Sequence, residues 1–148
     1  MGRTDGLERK DTDVPYKTGK ALIYAVLLWV IGFVWGSIVF MTPALKTVAP
    51  IPYVSRNPVI SFPILIIWLI ATYLLAKSYL QAADDKVAEG LKLGIVFSVV
   101  NVLLDLLVLV LLLKAGFSYF ISLTVWLAYF MLLMIPWITG RSVQKTGA

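Results

Sequence analysis

Four long apolar segments constrain the fold of this 148-residue chain more than any other feature of its sequence. They cover about residues 21–42, 59–80, 91–113 and 117–139, and each is near the roughly 20 residues that a helix needs to cross the hydrocarbon core of a bilayer. Charged residues make up 14% of the chain and hydrophobic ones 60%, whereas soluble domains are about 25% charged. The sequence therefore predicts an all-α membrane protein with four transmembrane helices.

The basic residues predict how these helices are oriented. If the four segments cross the membrane in turn, both termini and the connection at residues 81–90 lie on one side. Cytoplasmic loops are rich in lysine and arginine, so that side is predicted to be cytoplasmic and the bundle antiparallel. The ten basic residues on that side are Arg3, Arg9, Lys10, Lys17, Lys20, Lys77, Lys86, Lys92, Arg141 and Lys145, against Lys46, Arg56 and Lys114 on the other.

The same pattern divides the chain into three parts. Residues 1–19 are predicted to be a polar cytoplasmic tail, because they mix charges and glycines with little apolar content. Residues 20–140 form the four-helix transmembrane domain, and residues 141–148 a short second tail. The expected location is the cytoplasmic membrane of a prokaryote.

Composition excludes several classes of function. The chain has neither cysteine nor histidine, which removes thiol chemistry, Cys/His zinc sites and histidine-ligated haem. Walker and dinucleotide-binding glycine motifs are absent, and one acid in the membrane cannot form an aspartyl-protease pair. We therefore expect no enzyme activity, no cofactor and no metal. The net charge of +5 lies at segment ends and in the tail, which does not predict nucleic-acid binding.

Asp105 is the most informative single residue, because it lies near the middle of the third apolar segment. A charged side chain at the centre of a bilayer costs roughly 2.5–3.5 kcal/mol on insertion scales, and acids found there normally face the bundle interior. The sequence offers no basic partner at that depth, so burial favours the neutral acid. Such an acid is either a structural tie between helices or a proton relay, and interhelical hydrogen bonding favours the tie.

Small and polar residues share one face of the third segment. Their helical spacing places Gly90, Gly94, Ser98, Asn101 and Asp105 on a single stripe. The glycines predict close packing against another helix, and the polar residues predict a buried polar cluster.

Other segments contribute candidates at comparable depth. Gly32 and Gly36 form a second G-x-x-x-G pair, which predicts close packing or simply makes room for neighbouring tryptophans. Ser122 and Tyr129 are each predicted to lie level with Asp105 and within reach of its carboxyl. Trp68 and Trp126 complete the predicted polar pocket, although large aromatic residues also serve simply to fill space.

Two functions remain compatible with these features. The first is a non-catalytic membrane subunit or scaffold, which packs against itself as a homo-oligomer or against a larger membrane complex in the lipid bilayer. The second is a proton- or cation-coupled carrier of a small solute, with Asp105 as the titrating group. A chain this short rarely encloses an alternating-access path alone, which favours the first.

The orientation can be tested with single cysteines, since the chain has none of its own. Cysteines at Gly6, Asp85 and Thr146 should react with an impermeant thiol reagent only from the cytoplasmic side, because the basic residues hold those parts in the cytoplasm. A cysteine at Ser55 should react only from outside. Labelling of the Ser55 cysteine from the cytoplasm would contradict the predicted topology.

Overall fold

The computed structural model describes residues 14–42, 58–114 and 116–146, and these parts of the chain form helices without any strand. The four α-helices are α1 (Val14–Met41), α2 (Pro58–Leu80), α3 (Lys86–Leu104) and α4 (Leu123–Lys145). A π-helical segment, Asp105–Leu112, continues α3, and a short 3-10 helix, Phe117–Ile121, precedes α4. The predicted polar tail up to residue 13 lies outside the described residues, as do residues 147–148.

The prediction of four apolar helices is confirmed, since the described part of the chain contains four that are long and apolar enough to cross a membrane. Their ends differ from the predicted spans. α1 begins at Val14, and α4 continues to Lys145, because a helix need not end where the hydrocarbon does. α3 begins at Lys86, where the Asp85 carboxylate accepts a hydrogen bond of 3.1 Å from the backbone N–H of Ala88 and so caps the helix.

The connection between the third and fourth predicted spans is longer than the sequence indicates. Lys114 has a φ of 53° and Gly116 a φ of 80°, and a left-handed conformation of this kind stops a helix. The chain then forms the 3-10 helix before α4 starts at Leu123. This short helix changes which side chains of residues 117–121 face the core.

The core lies between the helices, and the outer faces are apolar. Leu28, Phe97 and Leu132 are fully buried, whereas Ile23 and Leu107 on the outside are more than half exposed. A soluble protein would place polar residues at such positions, but in a bilayer the surrounding hydrocarbon accepts apolar side chains. The surface therefore agrees with a bundle of membrane-spanning helices.

Helices α3 and α4 make the most extensive contact in the bundle. A Cβ atom built on Gly94 would overlap the carbonyl oxygen of Leu133, and one built on Gly90 would come within 2.5 Å of the carbonyl oxygen of Pro136. Further along, a Cβ atom on Gly140 would overlap the carbonyl of Lys86. Because all three obstacles are backbone atoms, these glycines allow the two helices to approach more closely than any other residue type would.

Substitution of Gly94 by alanine should therefore destabilise the bundle. The added methyl group must push the α4 backbone away, and overpacking of this kind typically costs about 1–3 kcal/mol. Gly19→Ala in α1 is the matched control, because nothing lies within 4 Å of its Cβ position and alanine favours helix formation over glycine. The measurement is thermal unfolding in detergent. Equal melting temperatures for the two variants would show that Gly94 does not lie at a close helix contact.

Candidate functional site

The Asp105 carboxyl group is the centre of a buried hydrogen-bonded cluster. Its Oδ1 accepts a hydrogen bond of 2.8 Å from the indole N–H of Trp29. Its Oδ2 accepts one of 3.1 Å from the hydroxyl of Tyr119 and a second from the hydroxyl of Tyr129. We call these four residues the Asp105 site.

The four members of the Asp105 site come from four separate elements of the fold. Trp29 lies in the middle of α1, Tyr119 in the 3-10 helix and Tyr129 in α4, while Asp105 begins the π-helical segment. Asp105 and both tyrosines are each no more than 6% exposed. One carboxyl group therefore connects elements that are distant in sequence, and it does so away from solvent.

Asn101 lies one helical turn before Asp105 and also reaches α1. Its Nδ2 donates to the carbonyl oxygen of Ala25 at 3.2 Å and to that of Phe97 at 2.8 Å. The Asn101–Ala25 and Asp105–Trp29 pairs have the same sequence separation of 76 residues. The last turn of α3 and the first turn of the π-helical segment are thus tied to two consecutive turns of α1, and the register between these elements is fixed.

Three of the predicted site residues lie together between α3 and α4. Ser98, Trp126 and Tyr129 line an apolar groove of about 750 Å³. The Ser98 hydroxyl donates to the backbone carbonyl of Tyr129 at 3.0 Å, and the Trp126 ring meets the Tyr129 ring edge-on. Tyr129 therefore has one side in this groove and its hydroxyl on Asp105. Ser122 lies just before α4, where its hydroxyl is 3.5 Å from that of Thr124.

Trp68 and Gly32 are found at a different place, between α1 and α2. The indole N–H of Trp68 donates to the carbonyl oxygen of Leu28 at 2.8 Å. A Cβ atom on Gly32 would overlap the Trp68 ring, so this glycine makes room for a tryptophan of the neighbouring helix. Gly36, one turn further along α1, is buried as well.

Trp29 and Tyr119 are the members of the Asp105 site that sequence reasoning missed. The sequence predicts that Gly32 and Gly36 of α1 lie at the depth of Asp105, whereas the structure places Trp29, about one turn earlier in α1, against the carboxyl group. For Tyr119, the sequence predicts a continuous helix from residue 117, and in such a helix Tyr119 does not share a face with Ser122 and Tyr129. The 3-10 helix turns it inward instead.

The chemistry available to this site is that of an acceptor surrounded by donors. Indole N–H groups only donate, whereas tyrosine hydroxyls can donate or accept. Within the described residues no group of three or more His, Cys, Asp or Glu side chains could hold a metal ion. The cluster holds one acid and neutral donors, so it can bind helices together or hold a proton.

Removal of single donors should show how much each hydrogen bond stabilises the bundle. Trp29→Phe, Tyr119→Phe and Tyr129→Phe should each lower the free energy of unfolding by about 1 kcal/mol, since hydrogen bonds between membrane helices are worth about 0.6 kcal/mol on average and up to about 1.7. Trp29→Phe adds a small loss of packing.

The control for these variants is Tyr73→Phe, which removes a hydroxyl from an exposed tyrosine of α2. Its melting temperature in detergent should equal that of the parent protein. If Tyr129→Phe behaved like Tyr73→Phe, the hydrogen bond between Tyr129 and Asp105 would contribute nothing to stability.

Comparison of the chain with protein-family models, with curated proteins and with solved structures finds no match.

Proposed function

We propose that the protein is a non-catalytic, small integral membrane protein that acts as a helix-packing subunit or scaffold of a membrane complex. In this role its four helices form a fixed body, and the Asp105 site is the internal tie that holds them. The outer faces of the helices then contact lipid and partner helices.

The observation that carries this proposal is the convergence of three aromatic donors on one carboxyl group. Trp29, Tyr119 and Tyr129 occupy both oxygens of Asp105. A titrating group of a carrier must at some stage meet water or substrate, whereas this carboxyl is enclosed by protein. Its hydrogen bonds to three separate elements give it the properties of a cross-link.

We further propose an antiparallel bundle with both termini in the cytoplasm of a prokaryotic cell. Along α3 and α4 the contact pairs run in opposite order, from Lys86 with Gly140 to Gly94 with Leu133, which supports antiparallel packing of these two helices. The ten-to-three division of basic residues supports the cytoplasmic location of the termini.

The proposed partners are the lipid bilayer and either further copies of this chain or a larger membrane complex. One face of the third membrane-spanning helix offers a continuous surface for them, because its residues repeat once per turn and all are exposed. They are Leu91, Ile95, Val99, Leu103, Leu107 and Leu111.

One observation favours the alternative, a proton- or cation-coupled carrier. The π-helical segment begins at Asp105, and π-helical turns are frequent at functional sites because they interrupt regular backbone hydrogen bonding. In this alternative Asp105 exchanges its proton while the segment changes conformation. An oligomer would then supply the transport path that a single chain of this length lacks.

Asp105→Asn distinguishes the two functions. The asparagine oxygen can accept from Trp29, and its amide can donate to the oxygens of Tyr119 and Tyr129. If Asp105 is a structural tie, this variant should therefore stay folded and lose about 1 kcal/mol or less in its free energy of unfolding, which is close to the average contribution of a hydrogen bond between membrane helices. A carrier should lose its activity, because an amide cannot exchange a proton in this way. Thermal unfolding in detergent and proton flux in proteoliposomes are the two measurements.

Asp105→Leu is the companion variant, because leucine leaves all three donors without an acceptor. Each unsatisfied buried donor costs about 1–3 kcal/mol, so this variant should be far less stable than Asp105→Asn. Proton flux in the parent that disappears in an otherwise stable Asp105→Asn protein would overturn the scaffold proposal in favour of the carrier. Absence of proton flux in the parent protein would exclude the carrier function.

A further inference from the structure

Three buried polar atoms lie outside the hydrogen bonds described so far, and one of them is Trp35 Nε1 on α1. Asn101 is 1% exposed and Thr72 is 0% exposed. The Asn101 Oδ1 and the Thr72 Oγ1 have no hydrogen-bond partner among the described residues. Buried polar atoms are almost always hydrogen-bonded in folded proteins, and no described residue supplies a partner for these two atoms.

Helix α1 shows how deep Asn101 lies in the bundle. The Asn101 amide donates to the carbonyl oxygen of Ala25. Ala25 itself is 0% exposed, so this turn of α1 is in the middle of the core. Asn101 therefore lies at the level of Ala25.

The same helix shows the depth of Thr72. On α2, Thr72 lies between Trp68 and Ser78, and both of these contact α1. Trp68 donates to the carbonyl oxygen of Leu28, and the Ser78 hydroxyl is 3.3 Å from that of Tyr24. The part of α1 opposite Thr72 is therefore the turn between Tyr24 and Leu28. This turn contains Ala25, the residue that Asn101 contacts.

Thr72 and Asn101 are thus at the same depth on α2 and α3, and both face the interior. Helices α2 and α3 contact each other only slightly, but both pack against α1 and α4, so residues that face the interior from these two helices lie across the centre of the bundle. We propose that the amide oxygen of Asn101 and the hydroxyl of Thr72 together bind one internal water molecule at the centre of the bundle, one helical turn from Asp105.

Water fits the chemistry of both atoms. The Asn101 nitrogen is identified by its two donated hydrogen bonds to carbonyl groups, so the remaining atom is an oxygen that can only accept. The Thr72 hydroxyl can donate or accept. A water molecule donates one hydrogen to Asn101 and makes its second hydrogen bond with Thr72, and buried waters typically have two to four such partners.

A monovalent cation fits less well. The carboxyl oxygens of Asp105 already accept hydrogen bonds from three side chains, so no free carboxylate is available to balance the charge. A buried charge without such a partner is strongly disfavoured. A neutral water molecule can form hydrogen bonds with both atoms without this cost.

The test is nuclear magnetic resonance of the full chain in lipid nanodiscs with ¹⁵N-labelled asparagine. The chain has two asparagines, Asn57 and Asn101, and an Asn57→Ser variant assigns the side-chain amide of Asn101. In the parent this amide should show cross-relaxation with a long-lived water molecule. The signal should be lost in Thr72→Val, which removes the hydroxyl, and retained in Thr72→Ser, which keeps it.

Thr139→Val is the matched control. Thr139 is 2% exposed, but its hydroxyl donates to the carbonyl oxygen of Ile135 in its own helix, so its removal should leave the water signal unchanged. The proposal is overturned if the parent shows no long-lived water at Asn101, or if Thr72→Val and Thr139→Val retain the signal equally.

Exchange of potassium for sodium or lithium in the buffer separates water from a cation. If the site binds water, the chemical shift of the Asn101 side-chain amide and the melting temperature should be the same in all three salts. A saturable change of the amide shift or the melting temperature with one cation, if it does not occur in Thr72→Val, would show that this site binds a cation and would overturn the water proposal.

Discussion

The need to satisfy one buried carboxyl group constrains the positions of the other elements. In hydrocarbon, an unpaired polar group costs several kcal/mol, so the hydrogen-bond donors to this acid have to come from the protein. Trp29, Tyr119 and Tyr129 reach it from three elements. Movement of any one of these elements along its own axis would break a hydrogen bond inside the core.

The glycine contacts between α3 and α4 make this arrangement possible. Gly90 and Gly94 bring the two backbones into direct contact, and the Ser98 hydroxyl then reaches the carbonyl oxygen of Tyr129 one turn further on. From that position the Tyr129 side chain meets Asp105. Close backbone packing at Gly90 and Gly94 thus brings α4 near enough to α3 for Tyr129 to reach Asp105.

Much of this organisation was predictable from the sequence, because hydropathy and helical spacing act within one segment. The four helices and the shared face of Asn101 and Asp105 follow from such local patterns. The residues of other segments that bond to Asp105 cannot be predicted from such local patterns. Trp29 and Tyr119 depend on the offset between helices and on a 3-10 helix before α4, and both arise from packing between segments. The pairing of Trp68 with Gly32 depends on packing in the same way.

The donors around Asp105 also make its two oxygens chemically different. An indole N–H cannot accept a hydrogen bond, so the oxygen bonded to Trp29 has to remain an acceptor in every protonation state. Tyrosine hydroxyls can reverse their direction, so a proton on the acid belongs on the oxygen that faces Tyr119 and Tyr129. On the α1 side, the bond to Trp29 persists, which lets the same carboxyl group hold the bundle together whether or not it carries a proton.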